Sequence, residues 1–273
     1  MKNQIFALIV CVLCLSCATN PFTGKKTMAF IPNAKLLPMA FAEYNKFLSD
    51  NKVITGTPDA EMITRVGQRI SVAAERWLDA NNYQGYLKDY KWEYNLVDNK
   101  VVNAWCMPGG KIVFYTGILP IAENEGAIAA IMGHEVAHAL ANHGQQRMSA
   151  GIIQLGLGVG VAIATKDESE SEQKMWMEAF AVGSSVAVML PFSRSHETEA
   201  DKIGLYLTAI AGYDPDEGAL LWERMKANSG GKSPPEFLST HPSNDSRIFN
   251  LRALSAKAKK EARKFGVTSF RKY

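Results

Sequence analysis

The sequence predicts an α+β fold that is predominantly helical, with a small antiparallel β-meander beside one buried, histidine-bearing helix. Three observations predict it. Apolar residues recur at helical spacing over long stretches, as in Met62, Val66, Ile70, Ala73 and Trp77. Between Trp92 and Thr116 the pattern changes to short runs rich in β-branched and aromatic residues, divided by Asp98-Asn99-Lys100 and Pro108-Gly109-Gly110. From about Asn124 to Arg147 the chain then reads as one helix, apolar on most sides, that contains His134-Glu135-Val136-Ala137-His138.

Residues 1–16 read as a signal peptide. Lys2 precedes the apolar run Ile5 to Leu15, which is too short to span a bilayer. Ser16-Cys17-Ala18 resembles a bacterial lipoprotein processing site, although Cys14 stands where Leu is usual. On this reading Cys17 is acylated and residues 17–33 form a lipid-anchored, turn-rich tether. The protein is then periplasmic and attached to the outer membrane, as Ala18 favours. Cys106 would be the free thiol of the mature chain, with no disulfide possible, and its apolar strand-like setting suits packing.

Residues 34–273 then make one domain. A chain of 273 residues, 47% of them hydrophobic, suffices for one substantial core. A net charge of +3 is too mild to argue for a nucleic-acid partner, and there is no basic stripe beyond the C-terminal helix. Oligomeric state is left open. Ala34 to Asn51 reads as a helix. A second starts at Thr57-Pro58, with Thr as cap and Pro in the first turn, and ends near Asn81-Asn82. Trp92–Val97, Val101–Met107 and Lys111–Thr116 are the three strands of the meander. A sheet edge beside a metal site can hold an extended peptide through main-chain hydrogen bonds, or can merely prop the helix. Gly151 to Thr165 is apolar and glycine-rich, short for a membrane span and interrupted by Gln154; it reads as a core or membrane-facing hairpin arm. Asp167–Glu172 is an acidic loop and Gln173–Leu190 a further apolar helix. Asp214 caps Pro215–Lys226, Ser229–Pro235 is a loop, and Asn244–Phe265 is a C-terminal helix with a solvated basic end.

The chemistry centres on His134 and His138. Four apart on a helix, they share a face, about 6 Å apart along the axis, and can converge on one metal ion. Glu135 can reach a water on that metal. Two imidazoles suit Zn²⁺, and a buried helix leaves these polar groups costly without such a partner. Catalytic zinc takes three protein ligands and keeps a fourth position open. The metzincin pattern would need Gly and His where Ala141 and Gly144 stand, so it is excluded. His143 reads as the C-terminal histidine of the helix, with Gly144 after it. Further on, Glu197 and Asp201 are four apart and share a face that Gly204 continues, leaving room for a close partner helix. Two buried carboxylates repel unless a cation or donors sit between them, which makes Glu197 a good candidate for the third ligand and Asp201 a natural acceptor for a ligand imidazole. Glu199 faces elsewhere, toward solvent.

Four segments then occur in one order: Asn103 to Lys111 (N-A-W-C-M-P-G-G-K), His134 to Gly144 (H-E-V-A-H-A-L-A-N-H-G), Ser193 to Asp201 (S-R-S-H-E-T-E-A-D) and Ser239 to Pro242 (S-T-H-P). Together they resemble the zinc metallopeptidase family forty-eight, which includes HtpX, the CAAX prenyl protease and the mitochondrial inner-membrane stress protease. The likeness runs from about Asn20 to Leu254. It leans to periplasmic lipoprotein members, because the chain shows none of the family's long transmembrane helices; it departs from some of those members in lacking their helical repeat domain. The resemblance implies a zincin-like (gluzincin) domain with one Zn²⁺ per chain on His134, His138 and Glu197. It makes Glu135 the general base and places substrate backbone along Asn103 and Ala104. It puts His241 near the metal, either on the oxyanion or in the open position at rest; without it, His241 reads as a loop histidine before a proline turn. Arg247 would be structural. Trp105 and Cys106 depart from the commoner residues of that strand, which leaves side-chain specificity open.

The function this implies is a zinc metalloendopeptidase that hydrolyses unfolded or misassembled envelope polypeptides. A zinc-bound holdase or assembly factor for outer-membrane proteins, with its protease latched, is the rival reading. A structural lipoprotein with a vestigial site is a third, and the complete set of ligands and base argues against it.

Overall fold

In the computed structural model, residues 17–185, 189–229, 236–241 and 245–272 are described. The signal peptide read over residues 1–16, the loop over 230–235, Pro242 and Asn244 lie outside them. Strand β1 (Cys17–Thr19) pairs antiparallel with β2 (Lys26–Met28), so the expected tether is a small hairpin with Cys17 opposite Met28. Helix α1 (Asn33–Asp50), β3 (Val53–Ile54) and α2 (Pro58–Ala80) follow. The hydroxyl of Thr57 accepts from Ala60 N–H at 3.3 Å, the cap that Thr57-Pro58 predicts. One face of α2 is buried through Ile63, Val66, Ile70 and Ala74.

The sheet corrects the meander. Strands β4 (Glu93–Val97), β5 (Ala104–Met107) and β6 (Lys111–Tyr115) join β3 in the order β3-β4-β6-β5. β6 lies parallel to β4, Glu93 opposite Lys111, and antiparallel to β5, Ala104 opposite Phe114. Burial explains the insertion. Ile112, Val113 and Phe114 are fully enclosed and need a strand on either side, whereas β5 is half-buried and takes the edge. A short 3₁₀ turn (Thr116–Ile118) and α3 (Leu119–Ala122) lead to the central helix.

Helix α4 (Glu125–Leu140) is buried along its whole length after Glu125, with Asn124 accepting from Ala127 N–H as its cap. The helix predicted to reach Arg147 is broken. Asn142 adopts a left-handed conformation (φ 56°), which Asn tolerates better than most residues, and a new helix, α5 (His143–Ala164), begins after it. His143 therefore opens α5 instead of closing α4. α5 and α6 (Glu170–Ser184) form the expected hairpin arm, but the arm is exposed and is no part of the core. At 22 residues, α5 is long and apolar enough to cross a membrane, which corrects the reading that no such helix is present.

α7 (Leu190–Ile210) packs on α4, followed by α8 (Asp216–Ser229), α9 (Glu236–Thr240) and α10 (Asp245–Arg263). The crossing of α4 and α7 rests on two glycines. A Cβ on Gly204 would lie 2.8 Å from His134 N, and one on Gly133 would lie 2.6 Å from Gly204 O. The helices meet backbone to backbone, as Gly204 in its predicted face requires. Gly204→Ala should force them apart and lower stability by about 1–3 kcal/mol, read as a fall in the denaturation midpoint, and weaken metal uptake by the same protein.

Candidate metal centre

α4 supplies His134 and His138, α7 supplies Glu197, and His241 stands one residue past α9. Their ligand atoms all lie within 4.8 Å of one another. His134 Nε2 is 3.1 Å from both His138 Nε2 and His241 Nδ1. The Glu197 carboxylate is 3.4 Å from His134 Nε2, 3.3 Å from His138 Nε2 and 2.9 Å from His241 Nδ1. The donor chemistry decides what fits here. Three imidazole nitrogens aimed at one point cannot all donate to one another, so lone pairs must face each other unless a cation lies between them. Three nitrogens and a carboxylate suit a borderline divalent metal such as zinc. Glu135 lies alongside, buried, with Oε1 lacking any hydrogen-bond partner and His241 Nε2 the nearest cation-forming group at 3.4 Å.

The electrostatics agree. Burial pushes the Glu197 carboxyl up, but the three histidines outweigh it and hold it well below the usual carboxylate range. Burial lowers His134, but Asp201 and Glu197 overcome that and raise it to about 9. Burial keeps His138 well below an ordinary imidazole and raises the Glu135 carboxyl. Without a metal, the two carboxylates therefore favour the protonated form of His134.

Asp201 stands where its spacing from Glu197 places it, with Oδ1 3.1 Å from His134 Nδ1, though off the axis of a full hydrogen bond. Arg247, expected to be only structural, grips Asp201 with two bonds of 2.8 and 2.7 Å and lies 3.1 Å from Glu197. Its guanidinium stacks over Trp222 at 3.9 Å. It neutralises the second carboxylate of the pair and fixes the direction of the first.

Two residues do more than their sequence positions suggest. His143, read as a helix-terminal histidine, is fully buried, with Nδ1 2.9 Å from His138 Nδ1 and Nε2 3.1 Å from Glu199. Glu199, expected in solvent, is also buried, and its other oxygen accepts from Asn20 Nδ2 at 3.1 Å. The hydrogen bonds assign the tautomers. With His138 Nε2 toward the metal, its Nδ1–H donates to His143, whose Nε2–H donates to Glu199. His196 stacks on His143 at 4.1 Å and its Nε2–H donates to Gln146 Oε1 at 3.1 Å; burial lowers its pKa to about 3, so it is neutral. The one signal for this relay in the sequence is Asn142, a residue able to turn the chain between two helical stretches.

The sheet edge lies beside α4. In the observed register the main-chain groups of Ala104 and Cys106 point away from β6. Asn103 instead spends its side chain on its neighbours: Oδ1 accepts from Ala104 N–H at 2.9 Å, and Nδ2 donates to Glu236 of α9 at 3.0 Å. Burial pushes the Cys106 thiol well up, so it is a neutral packing group and no nucleophile.

Comparison with known proteins adds relatives. The profile of peptidase family M48 matches residues 68–255. The mitochondrial metalloendopeptidase OMA1 of Schizosaccharomyces pombe is 38% identical over 172 residues, which is 60% of this chain and 47% of that protein. The human mitochondrial metalloendopeptidase OMA1 is 27% identical over 251 residues, 88% of this chain and 46% of its own length. The beta-barrel assembly-enhancing protease of Escherichia coli is 26% identical over 164 residues, 59% of this chain and 34% of its own. The chain spans less than half the length of each. None of the three bears the HtpX or CAAX prenyl protease name. The OMA1 relatives, from plant, yeasts and animals, are mitochondrial by name, and this overturns the periplasmic, outer-membrane location expected from residues 1–17.

Two outcomes follow. His143→Ala or Glu199→Gln should weaken metal affinity by about 10–100-fold with the fold intact, measured by competition with a chelator. Because the His134 proton must leave before a metal binds, affinity should rise roughly tenfold per pH unit and level off near pH 9, measured in the same titration.

Proposed function

The chain belongs to peptidase family M48, and from that premise and the geometry of the centre we propose a zinc-dependent endopeptidase that cleaves unfolded polypeptide. The observation that carries this reading is the convergence of His134, His138 and Glu197 with the buried Glu135 carboxylate beside them. In it, His134, His138 and Glu197 hold the ion, and Asp201 and Arg247 orient that set. Zinc, when bound, supplies Lewis acidity toward the scissile carbonyl and a water whose pKa is near 7. Glu135 takes the proton of the attacking water and passes it to the leaving amine. Its raised pKa brings it toward the proton affinity that such a shuttle needs at neutral pH. Substrate lies extended along β5, hydrogen-bonded to the outward carbonyl of Ala104 and main chain of Cys106, while Asn103 holds the Ala104 N–H and braces the strand against α9.

His241 closes one side of the centre, in contact with His134 and Glu197 on one nitrogen and near Glu135 on the other. This favours the resting-state role over the oxyanion role: the ring must swing out before a peptide enters.

The test uses the purified chain, Glu135→Gln and His241→Ala, with bound zinc and cleavage of casein measured together. One zinc per parent and Glu135→Gln chain is expected, with cleavage lower by about 10²–10⁴-fold in Glu135→Gln. His241→Ala should raise cleavage several-fold. A Glu135→Gln protein as active as the parent would refute the reading.

A further inference from the structure

The turn Asn20-Pro21-Phe22-Thr23-Gly24-Lys25 joins β1 to β2 and takes no part in the chemistry at the metal. Its first residue nevertheless is only 1% exposed. The chain folds this turn around Asn20. The Asn20 N–H donates to Lys25 O at 2.9 Å, and its C=O accepts from Gly24 N–H at 2.8 Å. Its Oδ1 accepts from Phe22 N–H at 2.9 Å, closing an Asx turn. Those three polar groups are spent inside the turn. The fourth, Nδ2, leaves it and donates to Glu199 Oε1 at 3.1 Å, across 179 residues of sequence. The turn itself has no need of that bond, since an Asx turn uses the oxygen alone.

The turn is seated on three helices. Phe22 stacks on Trp77 of α2, with ring centroids 4.2 Å apart and planes 18° apart, and Pro21 is buried. Downstream, Phe30 N–H donates to Ser149 of α5 at 3.1 Å, and Ile31 O accepts from Gln145 of the same helix. On α7, Glu199 meets more than Asn20. Lys25 Nζ stands 4.0 Å from the same Oε1, and the Thr23 hydroxyl bonds the same carboxylate. One turn thus brings three polar side chains to one buried carboxylate. A hairpin of two three-residue strands has little stability of its own, so these outside contacts hold it in place.

Glu199 divides its two oxygens between the turn and the centre. Oε1 faces Asn20, and Oε2 accepts from His143 Nε2–H at 3.1 Å. His143 Nδ1 in turn accepts from His138 at 2.9 Å. A carboxylate gripped on one oxygen can pivot about its last bond, whereas one gripped on both has its plane fixed. That plane sets the tilt of the His143 ring, and His143 sets the direction of His138. Partners behind a ligating imidazole change metal affinity by about 10–100-fold.

We propose that the turn Asn20–Lys25 clamps the metal centre. Asn20 is a positioning residue: through Glu199 and His143 it holds the His138 ring in its ligating orientation, and a shift of the turn loosens the metal. The proposal rests on the reading of His138 as a ligand.

The test uses the full chain. Zinc affinity is measured by competition with a chelator, and the visible absorption of bound cobalt(II) reports the geometry of the ligands. Asn20→Asp keeps the oxygen that accepts from Phe22 N–H and loses the donor to Glu199. It should lower zinc affinity about tenfold and shift the cobalt bands, with circular dichroism unchanged. The added negative charge would by itself attract a cation, so a loss of affinity marks a loss of position. Added to Glu199→Gln, the same substitution should cost little more, because both act through one path; additive losses would overturn the proposal. The reciprocal measurement starts from the parent. A turn that strengthens metal binding is strengthened by the metal to the same factor. Saturating zinc should therefore slow amide hydrogen exchange over residues 20–25 in the parent and not in Glu199→Gln. Exchange that zinc leaves unchanged in the parent, or slows equally in both, would overturn the clamp even if Asn20→Asp misfolds. A parent that takes up no zinc would overturn the ligand reading and the clamp with it. A parent holding one zinc, matched by Asn20→Asp in affinity and spectrum, would overturn the clamp alone.

Discussion

The backbone contact between α4 and α7 is the constraint on which the centre depends. With Gly133 against Gly204, the axes of the two helices come closer than any pair of side chains would allow. Glu197 lies seven residues before Gly204, two turns along α7, and so faces His134 and His138 across the crossing. Thr208, one turn on, ties the crossing further by donating to Ala129 O of α4 and to Gly204 O. Ligand geometry in this protein is therefore set by missing side chains as much as by those present.

Around that crossing each ligand has its own support. Arg247 comes from α10 and fixes Glu197 and Asp201 of α7, while Trp222 of α8 stacks beneath it. The relay through His143 and Glu199 ends on Asn20, just beyond β1. The N-terminal segment is tied to the same region by Phe22 stacking on Trp77 and by Phe30 N–H donating to Ser149. Segments distant in sequence thus converge on two imidazoles. Such outer contacts set ring orientation and tautomer, which a metal needs fixed before it arrives.

The arm and the centre share their helices. α5 carries His143 in its first residue and the apolar run beyond it; α7 carries Glu197 a few residues past the arm. The apolar run of α5 therefore continues directly from the residue that bonds His138. His241 approaches from the other side, on α9, which Asn103 links to the sheet edge.

The sequence by itself determined the local matters. Spacing of four placed His134 with His138 and Glu197 with Asp201, because helical periodicity needs no tertiary knowledge. Thr57 marked a helix start through its side-chain chemistry, and Gly204 announced a close crossing. Tertiary structure decided the rest. The strand order depended on which strand the core enclosed on both sides, a property of burial that alternation alone does not carry. His143 and Glu199 became a relay only because Asn142 turned the chain and brought α5 back against α7, a contact between residues 56 apart in sequence. His241 and Arg247 carry no local signal, since a histidine before proline and an arginine in a basic helix look ordinary until folding brings them to Glu197 and Asp201.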